Sequence, residues 1–284
     1  MSFKAIDIHP HVISTDLVAY PRNPLGGTPS VWSEERPVST EQMIKAMDEA
    51  GVEKSAIVQA STCYGHDNSY VASAVAAHPK RFTGVFSVDV LADTGPERIR
   101  YWYGKGLTGF RLFTVGSTMT TQSNWLDDPK TYPSWRTAEE LNIPICLQVR
   151  VPGLSMVKTL VEKFPKVRVL IDHMLGVEVD DGPPYAKTAP LLELVKYPNV
   201  YLKLTSNNTR AAKKGNATPE TLFPMMVKAF GSSRIAWGSN YPAATGTLKE
   251  ILDESKAALA CLPESDQLNI FRKTAQSLYP ALAD

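Results

Sequence analysis

Eight short apolar runs rich in β-branched residues, each followed by a stretch with helical patterning, recur along the 284 residues of this chain. They fall at 5–8, 55–59, 82–88, 109–113, 143–149, 167–171, 200–204 and 235–237. Runs of this length read as strands buried on both faces. Strands that alternate with helices pair in parallel, because each crossover brings the chain back to the same end of the sheet. Eight such units favour closure into a (β/α)8 barrel over an open doubly wound sheet, and a barrel of this kind takes about 250 residues. The expectation is therefore an α/β protein, a (β/α)8 TIM barrel, with 1–284 as a single domain. No sequence self-similarity at a fixed period accompanies the alternation, so the repeat is architectural.

The helical stretches carry start and stop signals. Thr40-Glu41-Gln42-Met43 opens one that ends at Gly51, where glycine tolerates the left-handed backbone of a helix terminus. Asn68-Ser69-Tyr70 leads into 71–77, Thr94-Gly95-Pro96-Glu97 into 98–103, and Ser155-Met156 into a segment closing at Lys163-Phe164-Pro165. Two connections are too long for ordinary βα loops. Segment 14–38, rich in Pro and Gly, follows the first strand, and 115–127, rich in Ser, Thr and Gln, follows the fourth. Both belong to the end of the barrel where strands finish, so both are expected to wall or cover an active site.

Charge and cysteine content exclude several classes. With 30 basic and 29 acidic residues the formal charge is +1, which gives no electrostatic footprint for nucleic acid or an anionic membrane. Cys63, Cys146 and Cys261 are odd in number and widely spaced, so neither a disulfide framework nor a cysteine zinc knuckle is expected. A packed thiol is the reading for Cys63. The first residues lack a charged segment followed by a long apolar one, and no stretch reaches about 18 uninterrupted apolar residues. A cytoplasmic protein is expected, and a homo-oligomer is compatible with the composition.

The residues that carry chemistry cluster at strand ends. Asp7-Ile8-His9-Pro10-His11 places two imidazoles two residues apart, a spacing that on extended backbone turns both to one side. Pro10 has no N–H to leave unpaired at the strand tip. Two convergent imidazoles suit a metal ion or a site that binds anions and moves protons. His66 and Asn68 follow the second run, Arg111 lies in the fourth, Gln148 and Arg150 end the fifth, and Asp172-His173 ends the sixth. Lys203 and Arg210 lie in and after the seventh run, and Ser239-Asn240-Tyr241 ends the eighth. Of the five histidines only His78 falls away from this rim. Structural roles compete with these. Gly65-His66-Asp67-Asn68 is also a good turn and helix cap, Arg111 could meet an internal carboxylate, Lys203 could be an interior ion-pair partner, and Arg150 and Arg210 could be solvated. Tyr64, Trp125 and Tyr241 are candidates for an aromatic wall.

The ordered set Ile-Asp-Ile-His-Pro-His at 6–11, Tyr-Gly-His-Asp-Asn-Ser-Tyr at 64–70, Gly-Phe-Arg-Leu-Phe at 109–113, Ile-Asp-His-Met at 171–174, Tyr-Leu-Lys-Leu-Thr at 201–205 and Trp-Gly-Ser-Asn-Tyr-Pro at 237–242 resembles the amidohydrolase superfamily. Within it the chain is most similar to the branch of 2-pyrone-4,6-dicarboxylate lactonase and sulfomuconolactone hydrolase, and the resemblance spans nearly the whole sequence. It implies a hydrolase that opens a small carboxylated lactone by water attack on the ring carbonyl, in catabolism of an aromatic or sugar acid. It also implies His9, His11, His173 and position 240 at the catalytic centre, with Arg111 and Arg210 on substrate carboxylates. Bidentate guanidinium pairing gives the arginines a physical reason for that role. His66, Asn68, Gln148 and Arg150 complete the expected substrate contacts.

Asn240 departs from the family pattern, which has aspartate there as metal ligand or proton acceptor. An amide has no basic lone pair near neutral pH. Either the residue traps substrate, or His66 or His173 serves as base, or water attack has been abandoned. For His9, His11 and His173 two expectations stand: ligands of a divalent ion such as Zn2+, or direct polarisers of the substrate carbonyl without metal. A metal-dependent decarboxylase, a lactone isomerase and a carboxylate-binding barrel without turnover are the alternatives.

Overall fold

The structure, a computed structural model, describes residues 3–283. Eight strands make one parallel sheet in sequential order: β1 (Ala5–Asp7), β2 (Val52–Val58), β3 (Phe82–Ser87), β4 (Leu107–Phe113), β5 (Ile145–Gln148), β6 (Val169–Ile171), β7 (Val200–Thr205) and β8 (Ile235–Gly238). The two edges meet. The Ile8 N–H donates to the Trp237 carbonyl (3.3 Å), the Asn240 N–H to His9 (3.1 Å) and the His11 N–H to Tyr241 (2.8 Å), which closes the barrel. The expected runs match these strands to within about three residues at each end.

Alternation along each strand sorts side chains between the barrel interior and the helical shell. Ile6, Val58, Val85, Cys146, Leu170 and Ala236 fill the interior, while residues of opposite parity such as Ile57, Phe86, Leu147 and Trp237 face the helices. The interior cluster continues into Leu278, Tyr279 and Leu282, so the C-terminal segment plugs the end of the barrel where strands begin. Chemistry is left to the other end.

The shell consists of α1 (Thr40–Ala50), α2 (Ser69–Ala77), α3 (Gly95–Gly104), α4 (Tyr132–Leu141), α5 (Leu154–Lys163), a single turn α6 (Ala189–Leu192), α7 (Pro219–Phe230) and α8 (Leu248–Ala258). The start of α1 is a reciprocal cap in which Ser39 and Gln42 satisfy each other's backbone N–H, and Gly51 ends it at φ 76°. Pro183 and Pro184 precede the sixth helix and delay its start, and Pro190 occupies its first turn. Segment 14–38 carries one short helix, Val31–Glu35, and 114–127 has no regular element. No helix among the described residues is long and apolar enough to cross a membrane.

Candidate active site

A buried lysine organises the floor of the site. Lys203 points from β7 into the barrel interior with no exposure to solvent. Its ammonium forms an ion pair with Asp172 Oδ1 at 2.8 Å and donates to His9 Nδ1 at 2.9 Å and Cys146 Sγ at 3.4 Å. The other Asp172 oxygen accepts from Arg111 Nε at 2.7 Å, and Arg111 Nη2 donates to Gln148 Oε1 at 2.8 Å. Burial alone would raise the Asp172 pKa, but the two cations outweigh it and hold the carboxyl well below the usual carboxylate range. Two cations thus share one carboxylate.

That network fixes the imidazole tautomers. An ammonium only donates, so His9 Nδ1 accepts and the ring proton sits on Nε2. This Nε2 is buried and has no protein partner. His11 is the reverse case: its Nδ1 lies 2.7 Å from the Val58 carbonyl, which only accepts, so Nδ1 carries the proton and Nε2 a lone pair. His173 Nδ1 is 2.8 Å from Thr205 Oγ1, whose hydroxyl donates to Asn208 Oδ1, so again Nε2 holds the lone pair. The His9 ring sits 4.9 Å from His11 and 5.1 Å from His173, centroid to centroid. Burial, reinforced by neighbouring cations, lowers all three: His11 and His173 to about 3, and His9 well below its ordinary value. The rings are neutral at pH 7.

Backbone geometry aims these groups. Asp7 Oδ1 accepts from the N–H groups of His9 (2.9 Å) and Ser239 (2.8 Å), tying the ends of β1 and β8 together. Gly238 permits this close approach, since a Cβ there would lie 2.5 Å from the His9 Cβ. After β6 the chain turns through three successive left-handed residues, His173 (φ 51°), Met174 (φ 51°) and Leu175 (φ 62°). Each costs on the order of 1 kcal/mol, and such strain collects at functional sites. Asn240 also has left-handed backbone (φ 60°), which asparagine tolerates better than most residues.

The resulting pocket, about 270 Å3, is lined by His9, His11, His173, Arg111, Gln148, Arg150 and Asn240, all expected there. Among the described residues the Arg150 guanidinium has no hydrogen bond or ion pair, and its charge acts on His173. No carboxylate lines the pocket. Three expected contacts lie elsewhere. Arg210 pairs with Glu254 (2.9 Å) and with the Thr245 carbonyl (2.8 Å) in a separate surface cleft. The Asn68 amide bonds the His66 and Ser87 carbonyls and the Ser87 N–H, so it staples the β2 and β3 loops, and it is fully buried outside the pocket. His66 bonds Ser87 Oγ (2.9 Å) beside an adjoining cavity, outside the main pocket. Cys63 is a packed thiol, pushed up to about 11 by burial. The aromatic wall comes from Trp32 of the long insertion, 5.2 Å from the His11 ring, and from Phe113, while Tyr64, Trp125 and Tyr241 stand outside. Trp32 sits in an aperiodic segment, and Asn207, also in the lining, had only its place after β7 to mark it.

A family model for amidohydrolases matches residues 6–281. The chain belongs to the amidohydrolase family. Among curated relatives, an L-fucono-1,5-lactonase from Burkholderia ambifaria is 26% identical over 122 residues, which is 43% of this chain and 42% of the relative. The chain thus matches less than half of that relative's length. Among solved structures, a candidate 2-pyrone-4,6-dicarboxylic acid hydrolase from Pseudomonas putida superposes with a TM-score of 0.79 at 19% identity, over 100% of each chain. An amidohydrolase from Burkholderia multivorans with bound zinc gives 0.77 at 18%, over 98% of this chain and 99% of the other. These likenesses establish a shared barrel.

Zinc in that relative calls for a test of the donor set here. A three-imidazole ion site needs three lone pairs, and Lys203 directs the His9 lone pair away from the pocket, leaving two. Gln148 and Asn240 add amides where an ion would be better served by carboxylates. No cluster of three or more His, Cys, Asp or Glu with the arrangement of an ion site occurs among the described residues. The residues do not fit a resident divalent ion.

Proposed function

We propose that this amidohydrolase opens a small carboxylated lactone by adding water to the ring carbonyl. The observation that carries the reading is the His9 Nε2–H, a buried donor with no protein acceptor, in a pocket that offers two guanidinium groups and no carboxylate. Arg150 and the free Nη1 of Arg111 bind the substrate carboxylate by charge-assisted hydrogen bonds. The ring carbonyl oxygen then faces His9 Nε2–H. As water oxygen bonds to the carbonyl carbon, negative charge gathers on that oxygen, and a fixed donor at low dielectric stabilises it. The water proton passes to the His173 Nε2 lone pair. When the ring C–O bond breaks, the imidazolium returns this proton to the leaving oxygen, and a ring-opened hydroxy acid results.

His173 is the base in this scheme because it lines the pocket and His66 does not. With its pKa lowered to about 3 it is a weak one, and turnover is correspondingly slow. In this chain the imidazoles act on substrate directly, without an ion. The two relatives named for opening lactones and pyrones support the same reaction class, and an acid derived from an aromatic ring or a sugar is the substrate class that follows.

The test is proton release, followed in a pH-stat, from a panel of five- and six-membered lactone carboxylates with the protein and with Asn240→Asp. A carboxylate at position 240 supplies a general base, for which about 10²- to 10⁴-fold is expected. If neither protein opens any lactone, the reading is wrong.

A further inference from the structure

Beside the polar pocket lies a second cavity of about 170 Å3, and its chemistry is different. Its walls are mostly apolar: Leu25 from the first insertion, Val90 and Leu91 after β3, Phe113 at the end of β4, and Met119 and Trp125 from the loop that follows. Arg111 and Phe113 border both cavities. The Arg111 guanidinium lies over the Phe113 ring, 5.3 Å from its centroid, so cation and ring form one partition. Gly116 makes room for that ring, since a Cβ there would come within 2.0 Å of Phe113 Cζ. Of the polar groups on the far side, His66 has its pKa lowered by burial and is already bonded to Ser87, while Asp89 is exposed to solvent at the cavity's edge. Nothing in the hydrolysis scheme uses this space.

We propose that the second cavity is a specificity subsite for an apolar substituent of the substrate, about the size of one six-membered ring. This rests on the lactone reading for the identity of the reacting group, but not for the subsite itself. A carboxylate held at Arg111 stands at the partition, so a substituent on the adjacent carbon passes Phe113 into the apolar cavity while the lactone stays under His9. An apolar cavity of about 150 Å3 accepts benzene, so the volume suffices. Differences of one methylene in such a pocket discriminate by roughly 10- to 200-fold, so a whole ring is expected to give at least tenfold.

The experiment compares acetate with phenylacetate as binding probes by calorimetry, and a γ-butyrolactone carboxylate with its phenyl-substituted analogue as substrates. Leu91→Trp and Met119→Trp each fill the cavity without touching the catalytic pocket. Phenylacetate is expected to bind at least tenfold more tightly than acetate, and the filled variants to lose that advantage while acetate affinity stays the same. A crystal soaked with phenylacetate places the ring independently of either variant's folding. Equal binding of the two probes, or a ring found outside the cavity, overturns the proposal. Hydrolysis of both lactones without preference sinks the subsite and leaves the lactonase reading standing. The phenylacetate preference without any lactone turnover does the reverse.

Discussion

Lys203→Met removes the charge under His9 and keeps nearly the same volume. The lysine is fully buried and so is its partner carboxylate, so the change leaves Asp172 with Arg111 as its only cation. Breaking a buried pair by removing one member costs about 3–5 kcal/mol, and at roughly 2–4 °C per kcal/mol for a chain of this size the melting temperature falls by about 6–20 °C. The catalytic effect is separate. Without the ammonium at 2.9 Å, His9 Nδ1 no longer has to accept, the Nε2 proton is no longer fixed, and one oxyanion donor is lost. Such a loss lowers kcat by about 10²- to 10³-fold, with KM little changed because Arg111 Nη1 and Arg150 still bind the carboxylate. Steady-state kinetics well below both melting temperatures, with 15N spectra of the ring nitrogens, read the two parts. The wild-type His9 should show an unprotonated Nδ1 and the variant a predominantly protonated one. In a double-mutant cycle, His9→Gln added to Lys203→Met should cost almost nothing further. If kcat stays within threefold of wild type, or the two losses simply add, Lys203 does not act through His9.

Acid should destabilise the fold from about pH 6.5 downward. His9, His11 and His173 are neutral when folded and take up protons when unfolded, so the unfolded state binds more protons and stability rises with pH across this window. Asp7, raised to about 6 by burial, opposes them with one proton bound in the folded state. The net is about two protons at pH 5, a slope on the order of 2.7 kcal/mol per pH unit, and urea midpoints from pH 4.5 to 7 measure it. Arg150→Ala should raise KM roughly 10- to 100-fold with melting unchanged, whereas Arg210→Ala should leave kcat/KM alone and cost at most about 1 kcal/mol through its half-exposed Glu254 pair. Prolonged dialysis against a strong chelator should leave the hydrolysis rate as it was, and a loss reversed by zinc would contradict the donor-set argument.

The barrel was legible because eight buried strands have a pattern that little else produces, and the paired imidazoles at 9 and 11 because extended backbone imposes a period of two. The errors share a cause. Position at a strand end says that a polar side chain reaches the rim, but not which neighbour it meets there. Asn68 meets the Ser87 backbone across the β2–β3 gap, and Arg210 meets Glu254 of α8, 44 residues away. Both pairings are set by how adjacent βα units dock, which a linear pattern does not encode. The same limit hid the most consequential contact. Lys203 and His9 are 194 residues apart and touch only because closure of the barrel sets β1 beside β8, the neighbour of β7.

Position 240 bears on whether this site turns over or merely binds. The backbone there is left-handed, a conformation that asparagine and aspartate share more readily than other side chains, so Asn240→Asp is expected to leave the loop's shape as it is. The amide itself supplies no base. It leaves untouched a lysine, an arginine and an aspartate buried together, an arrangement whose desolvation costs several kcal/mol per ion before the pairing offsets it. Binding a carboxylate needs only Arg150 and one edge of Arg111. It does not need a buried ammonium whose contact with His9 fixes which ring nitrogen carries the proton. A directed N–H donor is of use where negative charge appears during a reaction, so the retained network argues for a site still built around an oxyanion.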